Sequence, residues 1–169
     1  MVRNLFVLCV AIFSLNCTSQ EKSTSEITTY YFIRHAEKDR TDPSEQDAHL
    51  TEKGHKRAQQ WNSILEHITF DAVYATDYYR TKETGQPIAD KNNVAITSYT
   101  TENYFDDVFK SATKGKTVLI VGHSNTTPEF VNAVLGEKKH EHIDDANNGN
   151  LYIVTLINGK TADILLTIN

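Results

Sequence analysis

Two histidines in this chain each close a short apolar run. In Thr28–Lys38 (TTYYFIRHAEK), six β-branched or aromatic residues lead straight into Arg34 and His35. In Lys116–Pro128 (KTVLIVGHSNTTP), a second such run leads through Gly122 into His123. Runs of this length and type read as buried strands, so both histidines should stand where a strand ends and a loop opens. In α/β folds that edge is where ligands bind. A guanidinium grips phosphate through paired N–H donors, and an imidazole can attack phosphorus or move a proton. An Arg-His pair alone is more often a solvated loop; the second strand-end histidine is what turns the reading toward an anion site.

The elements that must position these residues alternate along the chain. Strands are predicted at Thr28–Ile33, Asp71–Ala75, Val94–Tyr99 and Thr117–Val121. Helices are predicted at Glu52–His67, Tyr78–Lys91, Phe105–Ala112 and Thr127–Leu135. Thr51 can cap the first helix, whose Ala58, Trp61, Ile64 and Leu65 recur at helical spacing; His55 and His67 read as surface residues. Gly85 and Pro87 put the continuity of the second helix in question, whereas Pro128 falls in the first turn of the fourth, where proline is favoured. Leu151–Ile157 and Thr161–Ile168 flank Asn158-Gly159, a strong hairpin signal. The pattern implies a three-layer α/β/α sandwich with a mostly parallel central sheet and a C-terminal antiparallel hairpin.

Four segments resemble, in order, the motifs of the histidine phosphatase superfamily, also called the phosphoglycerate mutase-like family. RHAEK (Arg34–Lys38) fits the Arg-His-Ala form of its first motif. LTEKGHKRA (Leu50–Ala58) fits its LTxxGxxQA helix start, with Arg57 where Gln is common. VYATDYYRTKETGQPIA (Val73–Ala89) fits its middle motif, and KTVLIVGHSNTTP supplies the second histidine. The short chain and RHAE-type motif resemble the bacterial phosphohistidine phosphatases in particular.

The resemblance implies a metal-independent phosphatase that hydrolyses a phosphomonoester or similar small phosphorylated substrate, with no cofactor. His35 maps to the nucleophile, which forms a covalent phosphohistidine. Arg34, Arg80 and His123 map to the phosphate pocket, to which Ser124 could add its backbone N–H. Thr76 stands where the family often has a hydroxyl before its helix. The general acid is less clearly marked: Glu102 is the first candidate and Glu37, beside the nucleophile, the second. A weak acid favours substrates with good leaving groups and disfavours a mutase, which must protonate a poor alkoxide. The alternatives are an inactive phospholigand-binding module of the same fold or a phosphoglycerate mutase-type phosphotransferase. A divalent-metal site at His140-Glu141-His142, near Asp144 and Asp145, is the remaining reading, and a solvated charged loop explains that run better.

The 169 residues suit one domain with a real core, and the formal charge of −5 argues against a general nucleic-acid binder. Any anion site must therefore be a local cluster of cations. Met1–Asn16, with Arg3 ahead of the apolar run Leu5–Phe13, reads as a signal peptide (1–16). Cys17 sits where bacterial lipoproteins are lipidated, although Ser14 replaces the usual Leu. Residues 17–26 read as a flexible tether, followed by the domain at 27–169. These features predict an exported lipoprotein held to a membrane through a lipid anchor and facing the periplasm or cell exterior. Cleavage without lipidation, giving a soluble periplasmic protein, is the alternative.

Overall fold

Each apolar run described above becomes a strand, and each amphipathic stretch a helix. The structure, a computed structural model, describes residues 26–168. The expected signal peptide, Cys17 and the tether up to residue 25 lie outside the described residues. In chain order the elements are β1 (Ile27–Arg34), α1 (Glu52–Ile64), β2 (Ala72–Ala75), α2 (Tyr79–Asn92), β3 (Ile96–Ser98), α3 (Asp107–Thr113), β4 (Thr117–Gly122), α4 (Thr126–Leu135), β5 (Asn150–Ile157) and β6 (Lys160–Thr167). They form one sheet in the order β3-β2-β4-β1-β5-β6. The β3, β2, β4 and β1 strands run parallel, while β5 pairs antiparallel with β1 and with β6. This is the mixed α/β sheet the alternation implied.

Side chains alternate across a strand, so each central strand feeds two cores. Tyr30 and Phe32 of β1 and Val118 and Ile120 of β4 pack with Phe109 of α3 and Phe130, Val131 and Val134 of α4. Ile33, Leu119 and Val121 point the other way, against Trp61 and Leu65 of the α1 segment and Ile88 and Ala89 of α2. Burial on both faces is why β1 and β4 read as near-continuous apolar runs rather than alternating ones.

Several boundaries differ from expectation, each for a local reason. The α1 helix ends at Ile64, which is exposed, while Leu65 beyond it is buried. Asn93 adopts a left-handed φ of 54°, and the Val94 N–H turns back to the Ala89 carbonyl at 3.1 Å. The chain is therefore still capping α2 where β3 was expected to begin, and β3 shrinks to three residues. The α3 helix starts late because the Asp106 carboxylate accepts the Phe109 N–H at 2.7 Å and caps it. Neither Gly85 nor Pro87 breaks α2; inside the helix Pro87 forfeits its own N–H bond. The hairpin turn is as expected, with Asn158 at φ 51° and Gly159 at φ 77°.

Candidate active site

Strand register brings the two histidines together. Arg34 is the register partner of Gly122, and Ala75 that of Val121. The carboxyl ends of β1, β4 and β2 thus lie side by side, and the next residue of each is His35, His123 and Thr76. The His35 N–H donates to the Gly122 carbonyl at 2.9 Å, extending the ladder by one bond. The two imidazole rings stand nearly edge to face, centroids 5.3 Å apart. They line a cavity of about 600 Å³ together with Arg34, Arg80, Ser124 and Glu102. Six of the residues singled out from the sequence therefore share one cavity.

Backbone space explains two glycines of the motifs. A Cβ on Gly122 would lie 2.7 Å from Thr127 Oγ1 and 2.9 Å from Tyr99 Oη. One on Gly54 would lie 2.3 Å from the Glu37 carbonyl oxygen. The first glycine lets α4 start close against β4; the second lets α1 close over the loop that carries His35.

His35 is held by its own neighbours. Its Nδ1 lies 2.7 Å from the Ala36 carbonyl, a partner that only an N–H can satisfy. Nδ1 therefore carries the proton, and Nε2 keeps its lone pair. Asn148 donates its amide to the His35 carbonyl at 2.8 Å. Thr84 Oγ1 accepts the Ala36 N–H at 2.9 Å and donates to the Arg80 carbonyl at 2.6 Å. Burial, opposed by the Ala36 bond, and the charges of His123, Arg34 and Arg80 push the His35 pKa down to about 3. His123 is pushed down to about 4, by burial and then by Arg80 and Arg34. Both rings are neutral at ordinary pH, the state a nitrogen nucleophile requires.

His123 pairs through Nε2 with Thr76 Oγ1 at 2.8 Å, and its backbone N–H donates to Thr126 Oγ1 at 2.9 Å. Tyr78 stands edge-on to its ring, and the Arg80 guanidinium lies 4.2 Å above the same tyrosine. Arg80 is buried and reaches back to the Gln46 carbonyl at 3.2 Å, unlike an exposed helix residue paired along its own helix. Arg34, only 3% exposed, donates through Nη1 to the carbonyls of Asp144, Asp145 and Asn147 and through Nη2 to the Asp145 carboxylate at 2.6 Å. The Nε–H groups of both arginines are buried without a partner. Both arginines line the cavity as residues, while these two Nε–H groups lie beneath its surface.

The two acid candidates separate. Glu102 lines the cavity. Glu37 does not: both its oxygens accept from Arg57 Nε at 3.0 Å, and Lys53 lies 3.2 Å away. Burial would raise its pKa, but backbone and Arg57 hydrogen bonds hold it below the usual carboxylate range. These bonds favour its ionised form, and Glu37 lines instead a smaller cavity that His35 also borders. The same pair accounts for arginine at position 57, since it ties α1 to the nucleophile loop. The histidines of the His140-Glu141-His142 run point to different partners. His140 pairs with Asp163 at 2.8 Å and His142 with Glu129 at 3.0 Å, and no metal-holding group of three occurs among the described residues.

Sequence reasoning missed Thr84, Tyr78, Asn148 and the role of Asp145. Thr84 carried a signal, one helical turn after Arg80 on the same face; Asn148 and Asp145 lie in a loop with no periodicity to read.

The description "Histidine phosphatase superfamily (branch 1)" belongs to the family model that matches residues 30–108, ending before β4 and His123. No curated protein matches the chain in sequence. Solved structures do match in shape. A protein histidine phosphatase SixA complexed with tungstate is 14% identical, with 82% of this chain and 96% of that one covered and a TM-score of 0.64. A phosphoserine phosphatase from Entamoeba histolytica, in complex with 3-phosphoglyceric acid, is 16% identical, covering 84% and 98%, TM-score 0.61. A phosphoglycerate mutase from Bacillus anthracis is 15% identical, covering 85% and 93%, TM-score 0.62. The chain therefore has the fold of these histidine phosphatase structures, and its residues 30–108, which hold three of the four segments, match the model of the histidine phosphatase superfamily.

Proposed function

We propose that the protein is a phosphatase that works through a phosphohistidine on His35. The observation that carries this reading is the His35 tautomer: Nδ1 is committed to the Ala36 carbonyl, which leaves Nε2 unprotonated on a ring that lines one cavity with Arg34, Arg80 and His123. Nε2 attacks phosphorus, and the leaving oxygen departs. Arg34, Arg80 and His123 hold the equatorial oxygens as charge shifts. Water then takes the phosphoryl from His35. Glu102, which lines the cavity with Asp77 and Asp145, is the carboxyl we assign to protonating a leaving group. Neutralisation by protein cations supports a route that needs no metal. The presence of both histidines and both arginines supports an enzyme rather than an inactive binding module. The neighbours named as phosphatases support the same class.

The test is para-nitrophenyl phosphate hydrolysis in excess chelator. Turnover should persist with chelator and fall at least about a thousand-fold in His35→Ala, and quenched enzyme should carry acid-labile, alkali-stable phosphate. Turnover that survives His35→Ala, or that stops with the chelator, overturns the reading. We further propose that the chain is exported and anchored through Cys17; among the described residues no helix is long and apolar enough to cross a membrane.

A further inference from the structure

Lys38 lies three residues after His35, half-buried, on the same cavity. Its basic neighbours all face carboxylates. Arg34 and Arg40 share Asp145 at 2.6 and 2.9 Å, Lys53 and Arg57 share Glu37 at 3.2 and 3.0 Å, and Arg80 has Asp47 at 3.8 Å. Among the described residues Lys38 makes no ion pair of its own, and the carboxylate that acts on it, Asp145, is already shared by Arg34 and Arg40. A smaller cavity of about 230 Å³ shares His35, Lys38, Arg40 and Asp145 with the main one and is walled further by Lys53, Arg57 and the Glu37 they pair with. His35 and an ammonium without an ion-pair partner therefore stand at the junction of two spaces, in the smaller of which four cations face the two carboxylates Glu37 and Asp145.

We propose that Lys38, with Arg40, forms a subsite for an anionic leaving group, and that the substrate class is a phosphoanhydride spanning the two cavities. This rests on the phosphatase reading and deepens it. The lone pair of His35 Nε2 attacks the terminal phosphorus. The bond from that phosphorus to the bridging oxygen breaks, and its electron pair leaves with the departing phosphate. Lys38 and Arg40 stabilise that oxygen as an anion, so no proton need be delivered to it. A water oxygen then attacks the phosphohistidine, the P–N bond breaks with its pair returning to Nε2, and the water's proton ends on released phosphate. Burial, then Arg80 and Arg40, draw the Lys38 pKa below the ordinary lysine range, against a smaller upward pull from the Asp145 carboxylate. A phosphohistidine substrate would release neutral imidazole and make no use of this subsite.

The experiment compares inorganic pyrophosphate with para-nitrophenyl phosphate, using the full-length protein in excess chelator. The unsubstituted protein should hydrolyse both. In Lys38→Met, kcat/KM for pyrophosphate should fall about thirty-fold, and at least about ten times further than for para-nitrophenyl phosphate. Lys38→Arg should restore most of it. Equal losses on both substrates would assign Lys38 to the transferred phosphoryl group and overturn the inference. So would an unchanged rate on pyrophosphate, or hydrolysis of para-nitrophenyl phosphate alone. Failure on both substrates, with native circular dichroism, overturns the phosphatase reading itself.

Discussion

Thr76 shows how a single hydroxyl can set the second histidine. Its Oγ1 meets His123 Nε2 at 2.8 Å and also lies 3.2 Å from Thr81 Oγ1, so it links β2, α2 and the loop after β4. Thr76→Val should lower kcat for para-nitrophenyl phosphate about ten-fold, with a smaller change in KM, and Thr76→Ser should retain most activity. Equal loss in both variants would show that shape rather than the hydroxyl matters there. The two histidines also tie stability to pH. Their folded pKa values, about 3 and about 4, lie below the ordinary value of 6.5. The unfolded chain takes up protons on both rings below that value, while the folded protein leaves them neutral. Their contribution is therefore complete above the unfolded value and is lost as pH falls toward the folded ones. The urea midpoint should drop between about pH 7 and pH 5, and a His35→Gln, His123→Gln double variant should drop less. A parallel fall in both proteins would place the titration elsewhere.

At the scale of elements, the contact between α1 and the nucleophile loop is the most exacting. Gly54 leaves no room for a Cβ beneath Glu37, and Thr51 both caps α1 and donates its N–H to the Glu37 carbonyl at 2.9 Å. Gly54→Ala should cost about 1–3 kcal/mol by overpacking, read by denaturant titration. It should also depress turnover more than an exposed substitution on α1 such as Lys56→Ala. Unchanged stability would mean that the loop yields without consequence. The helix existed in the sequence as an amphipathic stripe, and its glycine as a motif letter. Why glycine is required there became visible only when Glu37 folded over it. The early end of the β3 prediction has the same origin: the residues are β-prone, but the cap of α2 takes Val94 first.

On the scale of the whole molecule, an acidic chain concentrates cations where three parallel strands end, which fits an anionic ligand drawn to one edge of the sheet. Export is tested at this scale too. Cys17→Ala should shift the protein from the membrane to the soluble fraction, whereas equal membrane fractions would remove the anchor proposal. Chain order alone determined the class of fold, and the resemblance to a family pointed to His35, His123, Arg34 and Arg80, which the fold brings to one cavity. Strand periodicity is a local property, and the motif residues stand directly at strand or helix ends. Tertiary structure decided the rest. It paired Glu37 with Arg57, some twenty residues on in sequence, and it sent Arg34 into the loop at 144–147. Among the described residues it also left Lys38 without an ion pair of its own. Which charges meet depends on how loops distant in sequence close over one another, and no local pattern records that.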